Sequence, residues 1–310
     1  MKYTEKNGFR VSMFSLGTVQ LGMNYGVNNK DGKPSREKAY EILDTAKALG
    51  VNCLDTAAGY GDSEATIGAW LEQTPVSERP AVVTKVDFID HSSKAAIRSS
   101  LRESVETSKK RLGLEKLPLL MIHNFEHYAQ NPDEVNRAFE ELRAAGDIER
   151  WGISAYSRHD YRLMADSSCD AVQIPQNIFD WSQIKSGGID ALAESGKTVF
   201  VRSVFLQGLV FMDPEHLHPQ MEFAAPYLRK YRELCTEFSL EPATLAMSFV
   251  LSLPGMSSLV LGCEKREQVE ANAALIEKTV QLSDTQMDAI RTAFEDCPSH
   301  LINPGTWYNA

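Results

Sequence analysis

No stretch of this 310-residue chain reaches the ~18–20 uninterrupted apolar residues of a membrane-spanning helix. The most apolar region, Met247 to Leu261, is broken by Pro254 and Gly255. Met1 to Arg10 is polar and charged, so the apolar core of a secretory signal is also missing. Cysteine is sparse: positions 53, 169, 235, 263 and 297, an odd number with no Cys-x-x-Cys pair. That argues against a disulfide framework or a zinc ribbon and fits a reducing, cytoplasmic setting. Positive charge is in deficit, with 32 Lys+Arg against 42 Asp+Glu and a net charge of −10. Nucleic acid and anionic membranes need a basic footprint, so neither is expected as a partner. A local basic pocket for one small phosphate ligand stays open. No Gly-x-Gly-x-x-Gly follows a strand: Gly59-Tyr60-Gly61 is a fragment with Glu64 at the third glycine position. Asp31-Gly32-Lys33-Pro34-Ser35 imitates the end of a phosphate-binding loop, but Pro34 stands where Ser or Thr is needed. A Rossmann or P-loop nucleotide site is therefore unsupported.

What is present is an alternation. Ala39, Ile42, Leu43, Ala46 and Leu49 lie on one helical face, Gly50 stops the helix, and the strand-like Val51–Asp55 follows. The same grammar recurs with Ile97, Leu101, Val105 and Leu112 before Gly113, and with Val135, Phe139 and Leu142 before Gly146. Candidate strands fall near 14–18, 51–55, 81–86, 117–123, 150–154, 171–175, 198–204 and 257–262. Helices follow at 35–49, 63–72, 94–112, 133–145, 159–166, 188–195, 242–252 and 265–275. Eight apolar strands alternating with eight helices are the stoichiometry of an α/β (β/α)8 TIM barrel. Residues 1–310 are expected to form one such domain, with a small hairpin at Asn7–Phe14 before it. A loop and a helix around 226–238 interrupt the seventh unit, and the Ser283-Asp284-Thr285-Gln286 capping box opens a last helix before an irregular tail.

In such a barrel, reactive groups belong at the C-terminal strand ends. Strand two ends in Asp55, with Tyr60 in the loop beyond; strand three ends in Lys85, strand four in His123 and strand five in Ser154. Strand six carries Gln173 and Asn177, and strand seven Arg202 and Ser203. Taken singly, each has an ordinary reading as a surface charge, a packing ring or a cap. Their convergence on one mouth is the informative fact.

Leu54-Asp55-Thr56-Ala57-Ala58-Gly59-Tyr60-Gly61, with Ser63-Glu64 and Gly68, resembles the aldo-keto reductase signature. So do Leu16-Gly17-Thr18, Val83-Thr84-Lys85, Ile122-His123-Asn124, Gly152-Ile153-Ser154 and Leu206-Gln207-Gly208-Leu209. The resemblance runs from about residue 8 to about 276. It implies a (β/α)8 barrel, an NAD(P)H-dependent reduction of an aldehyde or ketone, and a catalytic tetrad at Asp55, Tyr60, Lys85 and His123. In that reading Tyr60 is the general acid, Lys85 lowers its pKa, Asp55 keeps Lys85 charged and His123 donates to the carbonyl oxygen. The cofactor would meet Gly17, Thr18, Asp55, Ser154, Gln173, Ser203, Leu206 and Gly208. Its phosphate end would meet Gly262, Lys265, Gln268 and Asn272, with backbone N–H groups at the start of the last barrel helix as donors, while Glu264 would repel a 2′-phosphate and could accept a ribose hydroxyl. NADP(H) is expected ahead of NAD(H), with Lys265 and Arg266 as the cations for the 2′-phosphate. No metal is implied.

Two positions depart from the family pattern. Ala155 replaces an Asn after Ser154, and Arg202 replaces an aromatic ring. A guanidinium can stack on a ring or pair with an anion, and a place beside the cofactor is expected for it ahead of a structural ion pair. Three alternatives stay open: a cofactor-binding regulatory subunit, a sugar dehydrogenase working oxidatively, and a lyase using Lys85 as a Schiff-base nucleophile. The substrate, a small carbonyl compound or sugar, and the oligomeric state are not readable. The mouth is expected to be shaped by loops near 24–34, 124–132 and 205–222 and by the tail around Trp307.

Overall fold

The computed structural model describes residues 1–25 and 32–307, so part of the loop expected at 24–34 lies outside the described residues. The described residues form ten strands: β1 Tyr3–Lys6, β2 Phe9–Ser12, β3 Phe14–Gly17, β4 Cys53–Asp55 and β5 Ala81–Val86 are the first five. The others are β6 Leu117–Ile122, β7 Ile148–Ser154, β8 Ala171–Pro175, β9 Thr198–Arg202 and β10 Met256–Gly262. Strands β3 to β10 close into a parallel barrel, with β10 pairing back onto β3. Each barrel strand coincides with an expected one to within three residues.

The helix boundaries follow from local chemistry. Helix Lys94–Leu112 starts with Ser93 accepting the Ala96 N–H and ends at Gly113 in the left-handed region. Its buried stripe is Ile97, Leu101, Val105 and Leu112. Pro132–Ala145 ends the same way at Gly146. The helix expected at 159–166 shortens to Tyr161–Ala165, and short helices at Phe125–Gln130 and Ser182–Lys185 occupy loops in which no helix was expected. Ala225–Phe238 and Asp284–Phe294 sit outside the repeat as expected.

The hairpin is displaced from its expected place. It is β1 paired with β2, turning at Asn7-Gly8, both at positive φ. The polar β1 carries no hydrophobic signal, and its pairing alone makes it a strand. The hairpin plugs the barrel floor: Phe9 and Val11 join Cys53, Val83, Leu119, Met121, Ala171 and Phe200 in one small buried cluster. Side chains alternate along a strand, so the same inward rows continue upward from these residues. Two steps above Cys53 is Asp55, above Val83 is Lys85, above Ala171 is Gln173 and above Phe200 is Arg202. Each row is apolar at the plugged floor and polar at the C-terminal mouth. That switch places the candidate site.

Candidate active site

Lys85 is fully buried, and its Nζ donates to Asp55 Oδ1 at 2.8 Å and to the Thr56 carbonyl at 2.7 Å. Gln173 Nε2 donates to the same Asp55 oxygen at 2.6 Å. Burial alone would pull the Lys85 ammonium down, but the Asp55 carboxylate outweighs it and the pKa stands above its usual value. Lys85 is therefore a charged ammonium, 5.2 Å from the centroid of the Tyr60 ring. For Tyr60 the balance runs the other way. Burial raises the phenol pKa, and the opposing pull of Lys85 does not cancel it. Lys85 pulls the Tyr60 pKa down as expected of it, but burial leaves the net shift upward, so the phenol is neutral and holds its proton.

Tyr60 is positioned by glycines. A Cβ on Gly59 would lie 2.5 Å from Asp87 Oδ2, and one on Gly22 would press into the Tyr60 carbonyl oxygen. Gly61 adopts φ +57 against the Gly22 backbone. Ser63 Oγ anchors the following helix to the Thr18 carbonyl at 3.0 Å. We expect Gly22→Ala to displace the Tyr60 loop, with a loss of about 1–3 kcal/mol from overpacking. The fall in kcat should exceed what the Tm shift accounts for. Activity and Tm both at the wild-type level would contradict this packing argument.

His123 follows β6, with its ring edge-on to Tyr60 at 5.5 Å between centroids. Its Nδ1 is bonded to Asp87, two residues beyond Lys85. With Nδ1–H donating to the carboxylate, the neutral ring presents Nε2 as an acceptor. Nε2 donates only when both nitrogens carry protons. Asp87 was not read from the sequence, although its place just past the strand end that carries Lys85 is the signal for it. Asp87→Asn is expected to lower kcat/KM about tenfold, the worth of a charge-assisted hydrogen bond, and to change its pH profile. A wild-type profile would remove Asp87 from the account.

Asp55, Tyr60 and Gln173 border a cavity of about 660 Å³ at the barrel mouth, within the usual range for small-molecule sites. Of the expected residues, Gly17, Thr18, Asp55, Tyr60, Gln173, Arg202, Ser203, Leu206 and Gly262 line it. Asn177 lines it too, while its Oδ1 accepts the Phe179 N–H at 3.0 Å. Lys85 and His123 are not lining residues; they reach the site through the Tyr60 ring, at 5.2 and 5.5 Å from its centroid. Sequence reasoning missed Gln20, Tyr156 and Arg158, which also line it, while Asn303 and Pro304 line it from the tail expected at the mouth. Gln20 Oε1 is buried without a hydrogen-bond partner among the described residues. It packs where a Cβ on Gly262 would fall, so this end of the cavity offers an unused acceptor beside bare backbone.

Several of the expected contact residues are occupied elsewhere or lie off the cavity lining. Ser154, paired in register with Gln173, is buried and off the cavity lining. Gly208, at φ +88, is likewise off it, although the loop it shares with Ser203, Leu206 and Gln207 carries four positive φ values. The backbone donors expected to meet phosphate are engaged. Gln268 Oε1 accepts from the N–H of Glu264 at 2.6 Å and of Lys265 at 3.3 Å, because the side chain at the third helical position reaches back to cap the helix. Asn272 Nδ2 donates to Cys263 Sγ at 3.4 Å. Arg266 faces Glu41 at 3.5 Å and Glu270 at 3.4 Å.

A sequence model of the aldo/keto reductase family matches residues 14–295. An uncharacterized oxidoreductase of Mycobacterium bovis is 28% identical, over 94% of this chain and 93% of its own length. An NADH-specific methylglyoxal reductase of Escherichia coli is 23% identical, over 92% and 95%. An aldo-keto reductase from Bacillus halodurans in its holo form superposes with a TM-score of 0.75 at 23% identity, covering 95% of this chain and 96% of that one. With the family match spanning the whole closed barrel and the mouth that it carries, the chain belongs to the aldo/keto reductase family.

Proposed function

We propose that this protein reduces an aldehyde or ketone to an alcohol with a reduced nicotinamide dinucleotide, using Tyr60 as the proton donor. The observation that carries this reading is the stack of Asp55, Lys85 and Tyr60. A buried ammonium, held charged by Asp55, sits 5.2 Å from the ring of a neutral phenol at the cavity wall. The cavity's size, its glycine-lined end and the orphaned Gln20 acceptor fit a dinucleotide held by Gly17, Thr18, Gln173, Ser203, Leu206 and Gly262. When bound, that group supplies hydride to the carbonyl carbon.

The chain's own residues manage the oxygen. As negative charge grows there, Tyr60 Oη releases its proton toward it, and Lys85 stabilises the phenolate left behind. Asp55 keeps Lys85 charged and fixed, and Gln173 holds Asp55. His123, oriented by Asp87, packs edge-on against the Tyr60 ring and positions it. The alternative use of Lys85 as a Schiff-base nucleophile has little support, since Nζ is fully buried and committed to Asp55 and Thr56.

NADP(H) stays ahead of NAD(H) in this reading. Arg266 holds its two carboxylate partners at 3.4–3.5 Å on an exposed surface, where such pairs are worth little and exchange readily for phosphate. The expected result is a kcat/KM for NADPH at least about tenfold above that for NADH, the worth of one such charged contact. A preference for NADH reverses this assignment. A panel of aldehydes, ketones and aldoses, followed by loss of reduced-nicotinamide absorbance, tests the activity itself. Turnover of none of them sinks the reading.

A further inference from the structure

Arg202 ends β9 where the family resemblance leads one to expect an aromatic ring. Its guanidinium is held in place: Nη2 donates to the Ala155 carbonyl at 3.0 Å and Nη1 to Ser203 Oγ at 3.4 Å. It stands 4.8 Å from the centroid of the Tyr156 ring, and Arg158 stands 4.7 Å from the same centroid. Two cations thus share one ring, and all three residues line the cavity that Tyr60 borders.

The two cations differ in their partners. Arg158 is neutralised by Glu126 at 2.6 Å. Arg202 has no carboxylate within 4.0 Å among the described residues. The acidic residues that line the cavity are otherwise engaged. Asp55 is held by Lys85 and Gln173, and Asp180 accepts from the Ser182 N–H at 3.1 Å and its hydroxyl at 2.6 Å. A guanidinium carries five N–H donors, and among the described residues two of those on Arg202 find protein acceptors. A role confined to stacking on a ring would leave the remaining donors without purpose in a half-buried place.

We propose that the cavity takes a carbonyl compound that also carries a carboxylate or phosphate, with the anion on Arg202 and the carbonyl oxygen at Tyr60. This rests on the carbonyl-reductase reading above. The planar fork of Arg matches both anions in a way a lysine does not. Partial burial strengthens the pairing over its value in water. The phosphates of the dinucleotide are a second source of the same chemistry, and the test separates the two.

The experiment compares kcat/KM for matched pairs at saturating NADPH: succinic semialdehyde against butanal, and 4-carboxybenzaldehyde against benzaldehyde. The anionic member should lead by about thirtyfold, and Arg202→Gln should cut that ratio at least about tenfold, while Arg202→Lys keeps part of it. Two binding measurements need no turnover. Benzoate should bind the nucleotide-loaded protein more tightly than benzamide by calorimetry, and the NADPH Kd of Arg202→Gln should stay within about threefold of wild type, short of one lost charged contact. Reduction of the neutral aldehydes with no preference for their anionic partners overturns the inference and leaves the reductase reading standing. An unchanged ratio with a tenfold weaker NADPH Kd assigns the guanidinium to the nucleotide and also overturns it. Benzoate binding that depends on Arg202, without reduction of any aldehyde, supports the anion site while the reductase reading falls.

Discussion

Tyr60→Phe is expected to lower the rate of carbonyl reduction by about 10²–10⁴, the usual worth of a positioned general acid, while the dinucleotide still binds. The substitution removes one oxygen and leaves the ring to pack between His123 and Lys85. Its effect should therefore fall on kcat, since the proton transfer matters only as charge develops on the substrate oxygen. The raised pKa of Tyr60 sharpens the expectation. Across the neutral range the phenol carries its proton, so reduction is supported without a preceding protonation step. Oxidation of the alcohol needs the phenolate and should speed up as pH rises. Single-turnover absorbance decay on pre-bound NADPH measures the step directly. A kcat within threefold of wild type would remove Tyr60 from the chemistry.

The second large effect concerns stability and activity together. Lys85→Met leaves the Asp55 carboxylate buried with only Gln173 as a side-chain donor. Breaking a buried pair by removing one partner costs about 3–5 kcal/mol, read as a fall in the urea midpoint. Reduction should fall at least as steeply as in Tyr60→Phe. The double variant with Asp55→Asn should regain much of the stability and none of the activity, because a neutral amide needs no counter-ion. The pH dependence has a definite sign. The Lys85 pKa is raised in the folded protein, so its contribution is fully present below the unfolded ammonium value of about 10.4. It is lost as pH rises through the higher folded value. Wild-type stability should thus drop in strong alkali more steeply than that of the double variant. Identical alkaline limbs would contradict the pairing.

The barrel was legible because each repeat spells itself out: an amphipathic helix, a glycine in the left-handed region, then a short apolar strand. Gly113 and Gly146 mark two of these stops and take φ +65 and +84. Asp55, Lys85 and Gln173 are legible as strand-end residues, and the inward rows bring Lys85 and Gln173 within 2.8 and 2.6 Å of Asp55. Other features depend on contacts between distant residues. The strand Tyr3–Lys6 exists only through its partner Phe9–Ser12. Asp87 acquires its meaning from His123, 36 residues away. Gln268 looked like a ligand residue and is a helix cap, because its amide reaches the free N–H groups of its own first turn. The pull of Lys85 on the Tyr60 phenol is legible from its strand-end position, whereas the burial that outweighs it is set by packing between distant residues.

The central claim is direct hydride delivery with Tyr60 supplying the proton. Its most direct measurement uses dihydronicotinamide dinucleotide deuterated at C4, with an aldehyde the protein reduces, and reads the alcohol by mass spectrometry. The account predicts one deuterium on the carbinol carbon, none on oxygen after exchange, and product formation at least a hundredfold slower in Tyr60→Phe. An unlabelled alcohol from either deuterated face, or labelled alcohol formed at the wild-type rate by Tyr60→Phe, would contradict it.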